Sequence, residues 1–280
     1  MTAIAFHNGT FQAKADIRIS PEDRGFLFAD GVYEVARAYG GRFFELDAHL
    51  ARLRDGLAAL MIGGAQVEAL PAIFAELLTR NALATSDALV YLQITRGAAP
   101  RTHFFPDPAV PPTVYAEARA FQPKADPRKG IAVITTPDTR WARCDIKSVA
   151  LLPNVLANQQ ARAAGATEAV FVRDGVALEG SSSSFFAIVD GDVRTAPCSN
   201  YILPSISRRV TLELCREAGF PHRETPIFLH ELPKASEMFM AGTTLEVMPV
   251  VAVDGRPVAG GTPGPMATEL ARRFHARALA

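Results

Sequence analysis

Two β-hairpin signals stand near the start of the chain, and they restrict the folds that the rest of the sequence can complete. Asn8-Gly9 separates the apolar runs of IAFHNGTF, and Gly40-Gly41 interrupts VYEVARAYGGRFFEL in the same way. A helical period begins only afterwards, in DAHLARLRDGLAALMI, where Asp47 is the expected N-cap. Strands and helices therefore do not alternate strictly, which predicts an α+β fold rather than a doubly wound parallel sheet.

The later part of the chain keeps this mixed order. Strand-like runs such as GIAVITTP, EAVFV and SFFAIVDGDVRT are interspersed with helical ones, and SISRRVTLELCREAG places Ile206, Val210 and Leu214 on one helix face. Residues 121–130 combine two prolines, a glycine and several charges. They predict a linker between a small N-terminal domain, 1–120, and a larger C-terminal domain, 131–280.

Composition excludes several classes of protein. Lys+Arg and Asp+Glu are both 29, so no basic excess points to nucleic acid or to an anionic membrane surface. The three cysteines are far apart and lack CxxC spacing, which argues against a disulfide framework and against a metal site. The sequence shows neither a signal peptide at its start nor an apolar window of membrane-spanning length. A cytoplasmic protein is expected.

Lys147 is the first candidate for chemistry. Lysine is rare in this chain, yet Lys147 adjoins an apolar run in the stretch RCDIKSVALLPN. An ammonium taken out of water favours its neutral form, and a neutral amine forms Schiff bases with aldehydes. The simpler interpretation is a lysine that extends its ammonium into water, and local sequence alone favours it.

Two further motifs suit a phosphorylated ring. Glu179 ends a strand-like run and is followed by Gly180 and four serines, so its carboxylate could pair with a cationic ring nitrogen; an exposed turn is the simpler interpretation. Ser205 and Ser207 open a helix in LPSISRR, and Thr243-Thr244 follow a glycine. Helix N-terminal amides and hydroxyls bind phosphate, although ordinary capping explains each motif alone.

A basic loop provides the fourth motif. TRGAAPRTHFFP places Arg96, Arg101 and His103 in a loop with glycine and proline. Arg101 and His103, two residues apart, could converge on a carboxylate, or the loop could simply be basic and solvated. A Schiff-base lysine, a carboxylate, phosphate-binding hydroxyls and a carboxylate clamp together describe a pyridoxal phosphate enzyme that acts on an amino acid.

The chain resembles the fold-type IV pyridoxal phosphate-dependent aminotransferases (class IV), and among them most closely the D-amino acid transaminases. The resemblance runs nearly end to end, in seven ordered blocks. These blocks are EDRGFLFADGVYEV (22–35), HLARL (49–53), TRGAAPRTHFFP (95–106), RCDIKS (143–148), EGSSSSFF (179–186), ILPSISRR (202–209) and TTLEVMPV (243–250). It implies two domains, a small N-terminal α/β domain and a larger C-terminal domain with a barrel-like mixed sheet.

The resemblance also implies roles for individual residues. Lys147 matches the lysine that holds pyridoxal 5'-phosphate as a Schiff base and moves the substrate α-proton, and Glu179 matches the carboxylate beside the pyridine nitrogen. Tyr33, Arg101 and His103 match the trap for the substrate carboxylate. The matches to the phosphate site and the ring wall are Arg52, Leu203, Ile206, Ser207, Thr243 and Thr244.

Alternatives within the fold remain open at this point. Branched-chain L-amino acid transaminases, (R)-amine transaminases and aminodeoxychorismate lyase would all keep Lys147 and Glu179, and the PRTH loop favours the D-amino acid interpretation. Loss of either residue would have favoured a binding protein without activity, but both are present. Ser184, Pro153 and Asn154 depart from the family pattern. The resemblance further implies a homodimer with the active site at its interface, and amino acids and 2-oxo acids as partners.

Overall fold

A computed structural model describes residues 2–123 and 125–280. Met1 and Lys124, the latter within the predicted linker, lie outside the described residues. Contacts within the chain define two units, one formed by residues 2–122 with Ile146–Ala150 and the other by Pro123–Asp145 with Leu151–Ala280. The predicted domain bounds and the linker at 121–130 stay a prediction.

The first unit is built on a six-stranded antiparallel sheet. Both predicted hairpins are confirmed, because Asn8, Gly9, Gly40 and Gly41 have φ of 46°, 89°, 55° and 87°, the left-handed backbone that a two-residue turn of this kind needs. The strands are β1 (Ile4–His7), β2 (Thr10–Ala13), β3 (Gly31–Tyr39), β4 (Arg42–Phe43), β5 (Ala88–Thr95) and β6 (Thr113–Ala120). Their order is β2-β1-β6-β5-β3-β4.

Helices cover this sheet and complete the core of the unit. They are α1 (Arg24–Phe28), α2 (Leu46–Ala59) and α3 (Leu70–Arg80), with short 3-10 helices at Lys14–Asp16 and Val67–Ala69. Leu53 of α2 and Leu77 of α3 are buried in the same apolar cluster as Leu92 of β5. The helical period of these segments therefore buries one face of each helix against the sheet.

The predicted N-cap of α2 is wrong. The helix begins at Leu46, and its N-cap is Glu45, which has φ of 54° and makes no side-chain capping hydrogen bond. Asp47 lies inside the first turn instead. A carboxylate there still interacts favourably with the positive end of the helix dipole, which explains why the residue type suggested a helix start.

The second unit contains a ten-stranded mixed sheet. Its strands are β7 (Ile131–Pro137), β8 (Glu168–Arg173), β9 (Val176–Gly180), β10 (Ser184–Val189), β11 (Asp192–Thr195), β12 (His222–Glu224), β13 (Ile227–Phe228), β14 (Glu237–Gly242), β15 (Glu246–Val253) and β16 (Arg256–Pro257). They follow the order β12-β11-β10-β14-β15-β7-β8-β9-β13, with β16 on β15.

Part of this sheet closes into a barrel. Strand β9 also pairs with β10, through Glu179 opposite Ser184, which completes a ring of β10, β14, β15, β7, β8 and β9. The β15–β7 and β7–β8 pairs are parallel, and the other pairs of the ring are antiparallel. Phe185, Met240 and Val250 belong to its buried apolar cluster. The predictions of an α+β fold and of a barrel-like mixed sheet are confirmed.

Three helices accompany the barrel: α4 (Leu152–Ala163), α5 (Ile206–Glu217) and α6 (Pro265–Leu279), together with a 3-10 helix at Leu229–Lys234. The predicted apolar face of α5 is confirmed, because Ile206, Val210 and Leu214 are all buried. Gly219, which follows the helix, has φ of 70°. In residues 2–123 and 125–280, no helix is both long and apolar enough to cross a membrane.

Candidate active site

The backbone around Lys147 lies along the start of β3. The Tyr33 N–H donates to the Lys147 carbonyl oxygen at 3.0 Å, and the Val149 N–H donates to the Gly31 carbonyl oxygen at 3.0 Å. Ile146 is buried in the core of the first unit. The half-buried Lys147 side chain places its Nζ 4.3 Å from the centre of the Tyr33 ring. The structure thus brings together two residues predicted for the site.

The apolar run after Lys147 is only partly buried. Leu152 is 69% exposed, and Ala150 is also exposed. The immediate neighbours Ile146 and Ser148 are the buried ones. Val149 and Leu151 of this run are half-buried, and α4 begins at Leu152.

Arg52 is held by a buried carboxylate. Its Nε and Nη2 donate to the two oxygens of Glu34 at 2.8 and 2.9 Å, and His49 Nδ1 lies 2.8 Å from Glu34 Oε2. Burial raises the pKa of Glu34, but the charge of Arg52 and the hydrogen bonds from His49 and Arg52 outweigh it and lower the pKa to about 2. Arg52 is therefore oriented by an ionised partner.

Sequence reasoning missed both partners of Arg52. Glu34 stands in the otherwise mainly apolar strand VYEVARAY, and His49 precedes Arg52 by three residues, on the same helix face. A charged residue at a buried strand position was the available signal, because such a residue requires a counter-charge.

Arg101 and His103 meet at one aromatic ring. The Arg101 guanidinium carbon lies 5.1 Å from the centre of the Phe28 ring, and the His103 ring centre lies 5.7 Å from it. Both side chains are exposed. Within residues 2–123, no hydrogen bond or ring contact joins Tyr33 to Arg101 or His103. The structure therefore brings two of the three predicted carboxylate-binding residues together, and Tyr33 lies with Lys147 instead.

Arg96 is occupied elsewhere. Its Nε and Nη2 donate to Asp30 at 2.7 and 2.9 Å, and its Nη1 and Nη2 donate to the carbonyl oxygens of Met61 and Leu60 at 2.9 and 2.7 Å. Burial raises the pKa of Asp30, but the hydrogen bonds and charges of Arg96 and Arg24 outweigh burial, so the pKa lies below its ordinary value. The donors of Arg96 are therefore used within the fold.

In the second unit, Glu179 lies at the end of β9 and is held by two donors. Arg140 Nη1 donates to Glu179 Oε1 at 2.5 Å, and the Leu203 N–H lies 3.2 Å from both carboxylate oxygens. Arg140 also contacts Asp138, with Nε and Nη2 at 2.9 and 3.1 Å, and lies over the Phe171 ring. Burial lowers the pKa of Arg140, but Asp138 and Glu179 raise it well above its ordinary value.

Arg140 is a residue that sequence reasoning missed. It follows β7 in the polar stretch DTRWARCD, where a basic residue suggests a solvated turn. Only the pairing of distant parts of the chain shows that it is buried beside Glu179. The Leu203 backbone amide also binds Glu179, which is a different contribution from the apolar ring wall predicted for this residue.

The start of α5 presents a row of backbone amides. Ser205 is the N-cap, and its hydroxyl oxygen accepts from the Arg208 N–H at 3.2 Å. Ile206 and Ser207 follow in the first turn, where backbone N–H groups have no partner within the helix. Thr243 and Thr244 occupy the turn between β14 and β15, and α5 packs against β14. Such amides and hydroxyls suit a phosphate.

The serine run behind Glu179 binds a second carboxylate. The hydroxyls of Ser181, Ser182 and Ser183 all donate to Glu168, which is 3% exposed. The Ser181 N–H donates to the same group at 3.1 Å. The simpler interpretation of this run as an exposed turn with capping serines is therefore wrong for Ser181 and Ser183, which are buried. Glu168 was missed because it precedes the run in sequence by thirteen residues.

The departures from the family pattern lie around this loop. The Asn154 side-chain amide donates to the Ser181 carbonyl oxygen at 2.8 Å. Pro153 occupies the first turn of α4, where a missing N–H costs no hydrogen bond. The Ser184 hydroxyl is buried and has no hydrogen-bond partner among the described residues. Ser184 lies directly opposite Glu179 in the β9–β10 pair, so both side chains point to one face.

Comparison with known proteins identifies the family. The family model for amino-transferase class IV matches residues 31–253, so the chain belongs to this family. It is a pyridoxal 5'-phosphate-dependent aminotransferase of fold type IV, and the predictions of enzyme class, fold and cofactor are confirmed.

The chain is similar along nearly its whole length to two D-alanine aminotransferases. It is 39% identical over 260 residues to that of Bacillus licheniformis, covering 92% of this chain and 91% of the relative. It is 39% identical over 272 residues to that of Staphylococcus haemolyticus, covering 96% of each.

Solved structures of branched-chain amino acid aminotransferases share the fold. The enzyme from T.th., solved with pyridoxamine 5'-phosphate, has a TM-score of 0.88 and 27% identity, covering 98% of this chain and 93% of that one. The enzyme from Escherichia coli has a TM-score of 0.89 and 24% identity, covering 99% and 94%. The second likeness concerns the fold alone.

The residues present fit the cofactor of this class. Glu179 supplies an ionisable carboxylate next to a buried hydroxyl without a partner among the described residues, which suits a ring bearing a protonated nitrogen and polar substituents. The first turn of α5 supplies amides for a phosphate, and Lys147 supplies an amine. A carboxylate, backbone amides and an amine are the kinds of group that bind pyridoxal 5'-phosphate.

Proposed function

We propose that the protein is a D-amino acid transaminase, which exchanges the amino group of a D-amino acid such as D-alanine for the oxo group of a 2-oxo acid such as 2-oxoglutarate. The observation that carries this proposal is the pair Arg101 and His103, which share one ring as their neighbour and remain exposed. Two cationic or hydrogen-bonding groups held side by side suit a carboxylate. The similarity to D-alanine aminotransferases over nearly the whole chain supports the same substrate class.

The cofactor site follows from the two sets of contacts. Lys147 would be the covalent anchor, and Glu179, whose carboxylate is held by Arg140 and the Leu203 amide, would pair with the ring nitrogen. Arg52, oriented by Glu34, neutralises part of the phosphate charge. The remaining phosphate ligands and the ring wall are Leu203, Ile206, Ser207, Thr243 and Thr244.

When bound, pyridoxal phosphate supplies an electron sink for the pair of electrons that an α-proton leaves behind. The protein residues move that proton. The Lys147 amine would accept that proton from the substrate α-carbon and give it up again, as a general acid/base, and the donor would leave as a 2-oxo acid once water has replaced its amino group. A second 2-oxo acid would then take up the amino group, with Lys147 moving the proton in the opposite direction. Tyr33, whose ring lies against Lys147, limits the directions from which the amine can reach a proton.

A homodimer is part of the proposal. In the described part of the first unit, Arg101 and His103 contact Phe28 while Lys147 contacts Tyr33, which supports a site completed by the partner subunit. Light scattering of active protein tests the dimer, and a fully active monomer would exclude it.

A reducing, cytoplasmic location is also proposed, since the three cysteines Cys144, Cys198 and Cys215 are free thiols.

A branched-chain L-amino acid transaminase is the second candidate, because solved structures of that activity share the fold closely. One panel separates the two. The loaded enzyme and 2-oxoglutarate are mixed with D-alanine, D-glutamate, L-leucine, L-isoleucine or (R)-1-phenylethylamine, and formation of the 2-oxo acid or ketone is measured. Turnover of the D-amino acids well above the others is expected. Preferred turnover of L-leucine or L-isoleucine, or of the amine, would reject the proposal.

A further inference from the structure

Arg24 is a buried arginine whose donors reach the loop that carries Arg101 and His103. It is the first residue of α1 and is 3% exposed. Its Nη1 donates to the carbonyl oxygens of Thr102 and Phe104, at 2.8 and 3.3 Å. These two carbonyls lie on either side of His103 in the chain. One guanidinium therefore fixes the backbone at both neighbours of a predicted substrate-binding residue.

The same guanidinium is anchored at its other end. Arg24 Nε donates to Asp30 Oδ2 at 2.8 Å, and Asp30 also accepts the Arg96 guanidinium, which lies over the Phe105 ring at 3.7 Å. Asp30 directly precedes β3, the strand of Tyr33. The planar guanidinium carries its donors on separate nitrogens, so Nε serves the carboxylate while Nη1 serves the two carbonyls, whereas the donors of an ammonium all sit on one nitrogen.

The side chains of Arg101 and His103 have little else to fix them. Within residues 2–123, neither side chain makes a hydrogen bond or an ion pair, and both contact the Phe28 ring. Arg24 itself lies over that ring, at 4.8 Å. The direction of Arg101 and His103 is therefore set by the loop backbone and by Phe28, and both of these contact Arg24.

We propose that Arg24 is a positioning residue that holds the backbone of residues 101–104, so that Arg101 and His103 are presented to the substrate carboxylate. The proposal deepens the function proposed above and rests on it. Arg24 touches neither substrate nor cofactor in this proposal, and it acts on substrate affinity through the loop.

The test compares Arg24→Lys and Arg24→Gln with Arg18→Gln in the loaded enzyme. Arg18 is a matched control, since it is exposed and its Nη1 also donates to two backbone carbonyls, those of Ala15 and Ile17. Both Arg24 variants are expected to raise KM for D-alanine about 10- to 100-fold with a smaller change in kcat, because small misplacements of a positioning group have effects of this order. Arg18→Gln should leave both constants unchanged.

Tryptic cleavage after Arg101 gives a second measurement that does not depend on activity. Release of the Thr102 carbonyl should make this bond several-fold more accessible in Arg24→Gln, with cleavage after the exposed Lys129 as the internal reference. Arg24→Lys keeps a charge for Asp30, so it decides the question if Arg24→Gln does not fold.

A double-mutant cycle separates positioning from general structural damage. If Arg24 acts through Arg101, Arg24→Gln in an Arg101→Ala background should raise KM much less than it does in the wild type. Equal factors in both backgrounds, or unchanged KM and unchanged cleavage in the Arg24 variants, would overturn the inference. Failure of the wild type to use any D-amino acid would instead reject the proposed function, while the cleavage rates still report whether Arg24 holds the loop.

Discussion

Arg140 Nη1 donates to Glu179 Oε1 at 2.5 Å, and the two side chains are only 6% and 8% exposed. The pair is buried, so each charge depends on the other for compensation. Glu179 gains a further donor from the Leu203 N–H, and Arg140 gains Asp138. The carboxylate proposed for the ring nitrogen is therefore part of a charge network rather than a lone acid.

Replacement of Arg140 by Ala should uncouple this network. We expect a loss of about 3–5 kcal/mol in the free energy of unfolding, because a buried carboxylate is left without its counter-charge. Cofactor affinity should fall as well. Arg143→Ala is the control, since Arg143 forms an exposed pair with Asp145, and the loss of such a pair should change the stability little. Urea unfolding and cofactor titration measure both effects, and equal behaviour of the two variants would contradict the role given to Arg140.

Replacement of Lys147 by Ala should abolish transamination even when cofactor is bound. The amine is both the anchor and the proposed carrier of the α-proton, and no other lysine within the described part of the first unit lies against Tyr33. The loaded wild type should absorb near roughly 400–430 nm and keep this band on gel filtration, as expected for a covalently held cofactor. The variant should lose cofactor on the column. Lys129→Ala, an exposed lysine, is the control, and turnover by Lys147→Ala would remove this residue from the mechanism.

Replacement of Arg101 by Ala should weaken binding of the substrate carboxylate and erode the preference for D-amino acids. A rise of about 30-fold or more in KM for D-alanine is expected, because truncation of a charged hydrogen-bonding partner commonly costs about 2–5 kcal/mol. Steady-state kinetics with D- and L-alanine measure both effects. Arg119→Ala, which changes an exposed arginine at the end of β6, is the control. An unchanged ratio of D to L rates would show that Arg101 does not select the enantiomer.

The sequence predicts those parts of the fold whose cause is local. The hairpin at Asn8-Gly9 follows from turn residues that tolerate positive φ, and the buried face of α5 follows from its helical period. Closure of the barrel also depends on pairs between strands far apart in the chain, such as the parallel pair of β15 and β7, which no local pattern records. The predicted start of α2 is misplaced because the N-cap, Glu45, has a left-handed backbone conformation and makes no side-chain capping hydrogen bond.

Part of the candidate site is likewise predictable from the sequence, and part is not. Lys147, Glu179 and Arg101 are recognisable because each stands in a short sequence motif. Their partners are found only in three dimensions: Arg140 comes from a polar turn, and Glu168 reaches a serine run thirteen residues further along. Contacts of this kind depend on tertiary pairing, and a single sequence does not record which distant residues meet.

The Glu34–Arg52 pair predicts a pH dependence of stability. Burial raises the pKa of Glu34, but Arg52 and His49 outweigh it and lower the pKa from 4.5 to about 2 in the folded protein. A lowered folded-state pKa stabilises above the unfolded value and loses that stabilisation as the pH falls towards the folded value. The contribution is on the order of 3 kcal/mol at pH 7, and about 1 kcal/mol of it should be lost by pH 4.

Glu34→Gln tests this contribution. The variant should be less stable than the wild type at pH 7, and the difference in the free energy of unfolding should shrink as the pH is lowered from about 5 towards 2, because the protonated wild-type side chain loses the same charge. Glu22→Gln, at an exposed position, should show no such convergence. Urea unfolding at several pH values provides the measurement. A difference between wild type and Glu34→Gln that stays constant across this range would mean that Glu34 does not hold Arg52 as an ionised carboxylate.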